Sequence, residues 1–321
     1  MKLSINQRSK AIICFLIVTN LATAGYVFYL RKQNLEYDNP YPLIDISRNF
    51  IDQKHYLTTI NPLREKVKAM VKEYGQDSVS VYIEYLNTGA NISVNPELYV
   101  WPASLTKVPL AMAVVKKIEK NEWQFQNELV LMAGDANDKS GDGENPLFEY
   151  PVGTRFTIEN LLKELLMNSD NTAYYILLRN LHQDDLKDVI QALGMEQLFT
   201  NEGRVSAKEY SRMLRSLYSA SYLSRENSEQ ILEWLDASSF DDFLASEVSQ
   251  EVIFPHKYGV DDLSMSYSDS GIVYLPNRPY LISVMVQADK NGNSKNEKEK
   301  AGAFMREISK EAYQFFLNAN N

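Results

Sequence analysis

The order in which its periodicities change restricts this chain more than any other feature. Alternating segments with strand character stand at Val79–Tyr85 and Asn91–Val94, with the turn Asn87-Thr88-Gly89 between them. Strand character returns only at Val252–Phe254, Gly271–Leu275 and Tyr280–Gln287, the last two joined by Pro-Asn-Arg-Pro. Between these groups the spacing is helical. Helices are expected over Ser104–Lys120, from the cap Thr157 to Met167, from Ser169–Asn171 to Leu181, over Ser206–Leu217 and over Asn227–Leu235. Two more flank the whole, Asn61–Tyr74 and the amphipathic Lys300–Leu317 with Phe304, Ile308, Tyr313 and Phe316. A strand cannot stay unpaired, so the two groups must meet across the helical middle. The fold class is therefore α/β in the α+β sense: an antiparallel sheet flanked by helices, with an inserted all-α subdomain.

Charge is unevenly placed. The net charge is −9, and residues 1–32 carry Lys2, Arg8, Lys10, Arg31 and Lys32 with no acid, which leaves −14 for the remainder. So acidic a remainder repels phosphate backbones and excludes nucleic acid as a partner class. The single cysteine, Cys14, allows neither an internal disulfide nor a thiolate zinc site. His55, His182 and His256 are scattered and lack ligand spacing, so no metal centre is expected.

Ala11–Leu30 is an uncharged run broken by Thr19, Asn20 and Thr23. As a helix it would be about 30 Å long, one hydrocarbon thickness. Its basic flanks favour a cytoplasmic N-terminus. Ala22-Thr23-Ala24 offers a signal-peptidase site, but Tyr26–Leu30 continue the apolar run past it, so an uncleaved anchor is preferred to a secreted product. Ile13 before Cys14 argues against a lipoprotein site. The expected organisation is an anchor over 1–32, a linker over 33–60 and one domain over 61–321. The partner expected for Ala11–Leu30 is the lipid bilayer, with the domain on the extracytoplasmic side.

Three short motifs carry chemistry. In Ser104-Leu105-Thr106-Lys107, the serine and lysine are three residues apart on one helix face, so an amine can meet a hydroxyl and activate it. About one such match is expected by chance in a chain this long. Ser169-Asp170-Asn171 sits between two helices, where its residue types also serve as caps. Lys257-Tyr258-Gly259 follows the helical middle, where a lysine can hold a carboxylate and a glycine lets a substrate lie against a strand. A literal Lys139-Ser140-Gly141 is rejected, because it falls in a Gly/Asp-rich loop before the second motif.

Singly these motifs are weak. Jointly and in this order they resemble the motif set of the penicillin-recognising serine acyl-transferases, the group comprising class A β-lactamases and penicillin-binding proteins. The flanking stretches Ala103–Leu110, Leu166–Leu178 and Ser268–Tyr274 are similar as well, and the resemblance spans about residues 75–317. It implies a β-lactamase/transpeptidase-like fold and an acyl-enzyme reaction without metal or organic cofactor. It assigns Ser104 as nucleophile, Lys107 as its base and Ser169 as proton relay. Asn171, Lys257, Gly259 and Val260 would bind substrate, with the N–H groups of Ser104 and Val260 as oxyanion hole.

Two departures bear on substrate and rate. Tyr258 stands where the family carries a hydroxyl that helps bind the substrate carboxylate. The family's E-x-x-x-N loop has no counterpart in register within Met195–Val205: Glu196 has Asn201 five residues on, and Glu202 has no such partner. The resemblance thus implies a serine hydrolase slow in deacylation, acting on a β-lactam or a D-Ala-D-Ala-like peptide. The alternatives are a peptidoglycan D,D-carboxypeptidase or transpeptidase, and a catalytically silent wall-binding module.

Overall fold

The computed structural model describes residues 5–35, 60–136, 146–196, 198 and 203–318; in 5–35 it describes side chains at Lys10 and Phe15–Tyr29 only. The linker expected over 33–60, the decoy Lys139-Ser140-Gly141, His55, Asn201 and Glu202 lie wholly or largely outside the described residues. The chain divides into an N-terminal unit and a second, larger one.

The N-terminal unit contains helix α1 (Ile5–Leu35). Its internal polar side chains bond back to helix carbonyls: Thr19 Oγ1 to Phe15 O at 3.0 Å, Asn20 Nδ2 to Leu16 O at 2.8 Å and Thr23 Oγ1 to Thr19 O at 2.8 Å. Among the described residues, no helix is long and apolar enough to cross a membrane. The expected transmembrane helix is therefore not carried by the described residues.

In the second unit, α2 (Asn61–Gly75) leads into the hairpin β1 (Val79–Tyr85) and β2 (Ala90–Val94). A 3-10 turn over Ala103–Thr106 precedes α3 (Lys107–Glu119). Strands β3 (Glu128–Val130) and β4 (Arg155–Thr157) pair as a small ribbon. Helices α4 (Ile158–Met167), α5 (Asn171–Asn180), α6 (Gln183–Leu193), α7 (Ala207–Tyr218) and α8 (Arg225–Asp236) follow. The chain closes with β5 (His256–Asp261), β6 (Ser266–Val273), β7 (Tyr280–Gln287) and α9 (Ser294–Asn318). The main sheet has the order β2-β1-β7-β6-β5, antiparallel throughout, so the two sequence-distant groups meet at β1 and β7.

One face of the sheet packs on α2 and α9 through Val67, Val71, Met305, Ile308 and Phe316. The other receives α7, behind which the helical subdomain gathers around α3. Lys107–Val115 of α3 are all buried, as expected of a helix enclosed on every side. Two helices begin at the predicted caps, the side chains of Thr157 and Asp170 accepting from the N–H groups of Asn160 and Ala173; Ser206, expected as a first helical residue, is itself a cap and accepts from Glu209 N.

Three expectations are corrected. Val252–Phe254 is not a strand: Ile272 N and Tyr274 N donate to Pro255 O and Ile253 O at 3.0 Å, but Pro255 lacks an N–H to return a bond, and the strand begins at His256. Strand β6 starts at Ser266 rather than Gly271, since Ser266, Ser268, Asp269 and Ser270 are buried polar residues that hide the apolar alternation. The nucleophile motif opens in a 3-10 turn, and the α-helix begins at Lys107. Pro109 has no N–H to give the carbonyl of Leu105, four residues back. The hydroxyl of Tyr210 on α7 gives one instead, at 3.1 Å.

Candidate active site

Two segments far apart in sequence, the Ser104 turn and Ser169–Asn171, meet at the amine of Lys107. Lys107 Nζ lies 3.0 Å from Ser104 Oγ, 3.1 Å from Ser169 Oγ and 2.6 Å from Asn171 Oδ1, and it also donates to the Ser169 carbonyl. Lys107 is 2% exposed and Ser169 equally so, which shields the cluster from bulk water. Among these four partners of Lys107 Nζ, Ser104 Oγ and Ser169 Oγ are hydroxyls that can exchange a proton with the amine, whereas the Ser169 carbonyl and Asn171 Oδ1 only accept.

Local backbone geometry presents these groups. Ala103, immediately before Ser104, has φ +48°, and Ser169 has φ +55°. Non-glycine residues there are strained, and strain is retained only where surroundings fix it. At Ala103 the surroundings are the Ser266 hydroxyl donating to Trp101 O, the Thr106 hydroxyl donating to Ala103 O at 3.0 Å, and Tyr210 on Leu105 O. At Ser169 they are the two oxygens of fully buried Asp170, which accept from Ala173 N at 2.7 Å and Leu147 N at 2.9 Å. Burial raises the Asp170 pKa, opposed by those N–H groups and by the charge of Lys107. The second motif is thus held by its aspartate, whose cap role and motif role coincide.

The third motif lies on β5, the edge strand, which packs against the Ser104 turn. A Cβ on Gly259 would stand 2.4 Å from Pro102 O, so only glycine permits this approach. Val260, next along β5, is buried and pairs with Tyr267. Lys257 is fully buried, and among the described residues no hydrogen-bond partner meets its Nζ, which lies 4.7 Å from the Tyr258 ring centroid. Burial pushes the Lys257 pKa well below the ordinary lysine value, the charge of Lys107 adds to this, and Asp269 opposes it. Tyr258 is 3% exposed, with its ring stacked on Phe240 at 3.6 Å and 13°. Its ring belongs to the apolar cluster beneath the edge strand.

Of the residues the sequence singles out, Ser104, Lys107, Ser169 and Asn171 meet directly, and Gly259 joins the Ser104 turn. Glu196 has an exposed side chain. Sequence reasoning passed over Tyr210 and Ser266, which brace the turn; neither lies in a motif, and their partners are distant in sequence. It also left His256 among scattered histidines, although this residue adjoins Lys257. No group of His, Cys, Asp and Glu among the described residues could hold a metal ion.

The architecture is shared with solved proteins. PBP-A has a TM-score of 0.70 at 19% identity, over 82% of this chain and 99% of that one. A mutant form of PBP-A, an acyl-enzyme complex with penicillin G, has a TM-score of 0.71 over 80% of this chain and 97% of that one. A β-lactamase from Sphaerobacter thermophilus reaches 0.68 at 21% identity, over 78% and 97%. In sequence, β-lactamase VEB-1 of Pseudomonas aeruginosa is 23% identical over 264 residues, 75% of this chain and 86% of that protein. β-Lactamase BRO-1 of Moraxella catarrhalis is 25% identical over 208 residues, 56% of this chain and 65% of that protein. The family described as "Beta-lactamase enzyme family" matches residues 62–316, all three motifs included. The chain therefore belongs to the β-lactamase enzyme family, as a β-lactamase-like serine hydrolase.

Proposed function

We propose that the protein acylates Ser104 with the carbonyl of a β-lactam or of a D-Ala-D-Ala-like peptide, and that it releases the acyl group slowly. The observation that carries this reading is the position of Lys107 Nζ within hydrogen-bond distance of Ser104 Oγ, Ser169 Oγ and Asn171 Oδ1. Ser104 Oγ attacks the carbonyl carbon while its proton passes to the neutral amine of Lys107. The carbon–nitrogen bond then breaks, and the proton travels from Lys107 through Ser169 Oγ to the leaving nitrogen. Asn171 orients the substrate amide. The N–H groups of Ser104 and Val260 receive the oxyanion, and Lys257 receives a substrate carboxylate.

Slow release follows from the deacylation step, which needs its own base. Glu196 is exposed and out of register with the family's loop glutamate. A D,D-peptidase that β-lactams inhibit is the second reading, favoured by the same observation. The fold likeness to PBP-A, whose mutant form is an acyl-enzyme complex with penicillin G, fits both. A chromogenic cephalosporin tests the proposal: a stoichiometric burst should precede slow turnover, and Glu196→Gln should leave the slow rate within about twofold, because a true general base contributes about 10²–10⁴-fold. Linear rapid turnover that Glu196→Gln abolishes would overturn it.

We further propose that Ala11–Leu30 tethers the domain to the extracytoplasmic face of a membrane. Its lack of charge and its basic flanks support this, as do the back-bonded Thr19, Asn20 and Thr23. The mature protein in membranes should keep its N-terminus; a chain beginning at Gly25 would contradict the tether.

A further inference from the structure

Tyr258 places a ring where the family carries a short hydroxyl, and that ring meets the buried amine beside it. Lys257 Nζ lies over the Tyr258 ring, 4.7 Å from its centroid. Phe240 is stacked on the same ring at 3.6 Å and 13°. An amine 4.7 Å out on the Phe240 side would collide with the Phe240 ring, so the two neighbours occupy opposite faces. The layers run Phe240, Tyr258, Lys257. Phe240 stands edge-on to buried Phe243, at 5.0 Å and 76°. The Tyr258 ring is therefore backed by an apolar wall.

Neighbouring side chains of a strand point to opposite faces, so the ladder alone does not bring Lys257 and Tyr258 together. Strand β5 is the edge of its sheet, and around that open edge the two side chains can meet. Lys257 is fully buried, and among the described residues its Nζ has no hydrogen-bond partner. A buried ammonium left alone is costly. The face of an aromatic ring is electron-rich and attracts an ammonium within about 6 Å of its centroid, most strongly away from water. It does so without occupying any N–H of the ammonium, so the donors stay available.

We infer that Tyr258 is a positioning residue for Lys257: its ring face, held from behind by Phe240, stabilises the buried ammonium and leaves the N–H groups to an anionic substrate group. The inference rests on the reading of Lys257 as the carboxylate-binding residue. Tyr258 acts through Lys257 and not on the substrate. Where the family adds a hydroxyl to the carboxylate site, this chain supports the charge of the lysine instead. Selection for an anion is thereby kept although the short hydroxyl is gone.

The test keeps the shape of the ring and changes its electrons. In the full chain, position 258 carries tyrosine, phenylalanine, or mono-, di- or trifluorophenylalanine, each fluorine drawing charge from the ring face. The charged groups around β5 are common to the whole series: Lys107 on α3, Asp269 on β6 with its Oδ1 2.9 Å from His256 Nδ1, and Asp236 on α8, which accepts from Phe254 N at 2.7 Å. Differences therefore report the ring. With ¹³Cε-labelled lysine, the Lys257 resonance is identified by its loss in Lys257→Arg. Its titration midpoint in Tyr258→Phe should stay at the wild-type pH and then fall with each added fluorine. Acylation by benzylpenicillin and by its methyl ester gives the functional arm: preference for the free acid should fall about tenfold over the series, the scale of a desolvated cation–π contact. A midpoint unmoved by fluorine, or a loss shared equally by acid and ester, overturns the inference. A preference already lost in Tyr258→Phe assigns it to the tyrosine hydroxyl and overturns it too. A midpoint that follows fluorine while Ser104 is never acylated would instead overturn the proposed reaction and leave the Lys257–Tyr258 contact standing.

Discussion

The two faces of the five-stranded sheet solve different problems. Towards α2 and α9 the strands present Val79, Val81, Ile83, Ile282, Val284 and Val286, packed on Met305, Ile308 and Phe316. Towards α7 the sheet carries Ser80, Glu84, Ser270 and Ser283, every one of them buried. The first face needs only volume and apolarity, because burial is non-directional. The second needs partners one by one. Ser80 accepts from Ala207 N at 3.3 Å, Glu84 accepts from Tyr82 Oη at 3.0 Å and from Arg215, and Ser270 meets Ser283 at 2.6 Å. Not every group finds one: Lys257 Nζ and Ser268 Oγ near the Ser104 turn are buried without a hydrogen-bond partner among the described residues, as are Arg215 Nε and Tyr280 Oη elsewhere. Buried polar groups left unsatisfied cost stability, and near the Ser104 turn that cost stands beside the positive φ of Ala103.

That contrast can be broken from either side. The largest effect is expected at Lys107. Lys107→Ala should slow acylation by about 10²–10⁴-fold per folded molecule, the range for loss of a positioned base. Labelling with a fluorescent penicillin, corrected for folded fraction, reads it, and a loss under about threefold would remove Lys107 from the reaction. The apolar face should behave oppositely. Phe316 is fully buried and stacked on Tyr280 at 4.3 Å and 12°. Phe316→Ala should cost about 3–5 kcal/mol in denaturant unfolding while leaving the labelling rate per folded molecule unchanged. A changed rate with unchanged stability would mean the two faces are not separable.

The two faces were unequally legible in the sequence. The apolar one declares itself by period: α2, β1, β7 and α9 fall where Leu63, Val67, Val81, Ile83 and Ile308 place them. The polar face hides, because buried serines in β6 look like a loop, and the strand was expected to start five residues late. The motif residues were legible as a set, since i, i+3 spacing fixes Ser104 against Lys107. Their meeting with Ser169 and Asn171 was implied only by resemblance, because contacts over 62 and 64 residues leave no local trace. The supports stayed invisible for the same reason: Tyr210 reaches Leu105 across 105 residues, and Ser266 reaches Trp101 across 165. His256 had no sequence signal beyond adjacency to Lys257, and its partner Asp269 lay in the similar stretch Ser268–Tyr274 with nothing to pair the two.

The central claim is that the Lys107-centred cluster makes Ser104 a nucleophile, and intact mass spectrometry tests it most directly. After incubation with benzylpenicillin, the wild-type chain should gain one penicilloyl adduct, and peptide mapping should place it on Ser104. Ser104→Ala should fold with the same stability within about 1 kcal/mol and remain unmodified, as expected for a partly exposed hydroxyl. An adduct that persists in Ser104→Ala, or a wild-type chain that stays unmodified while folded, would contradict the account.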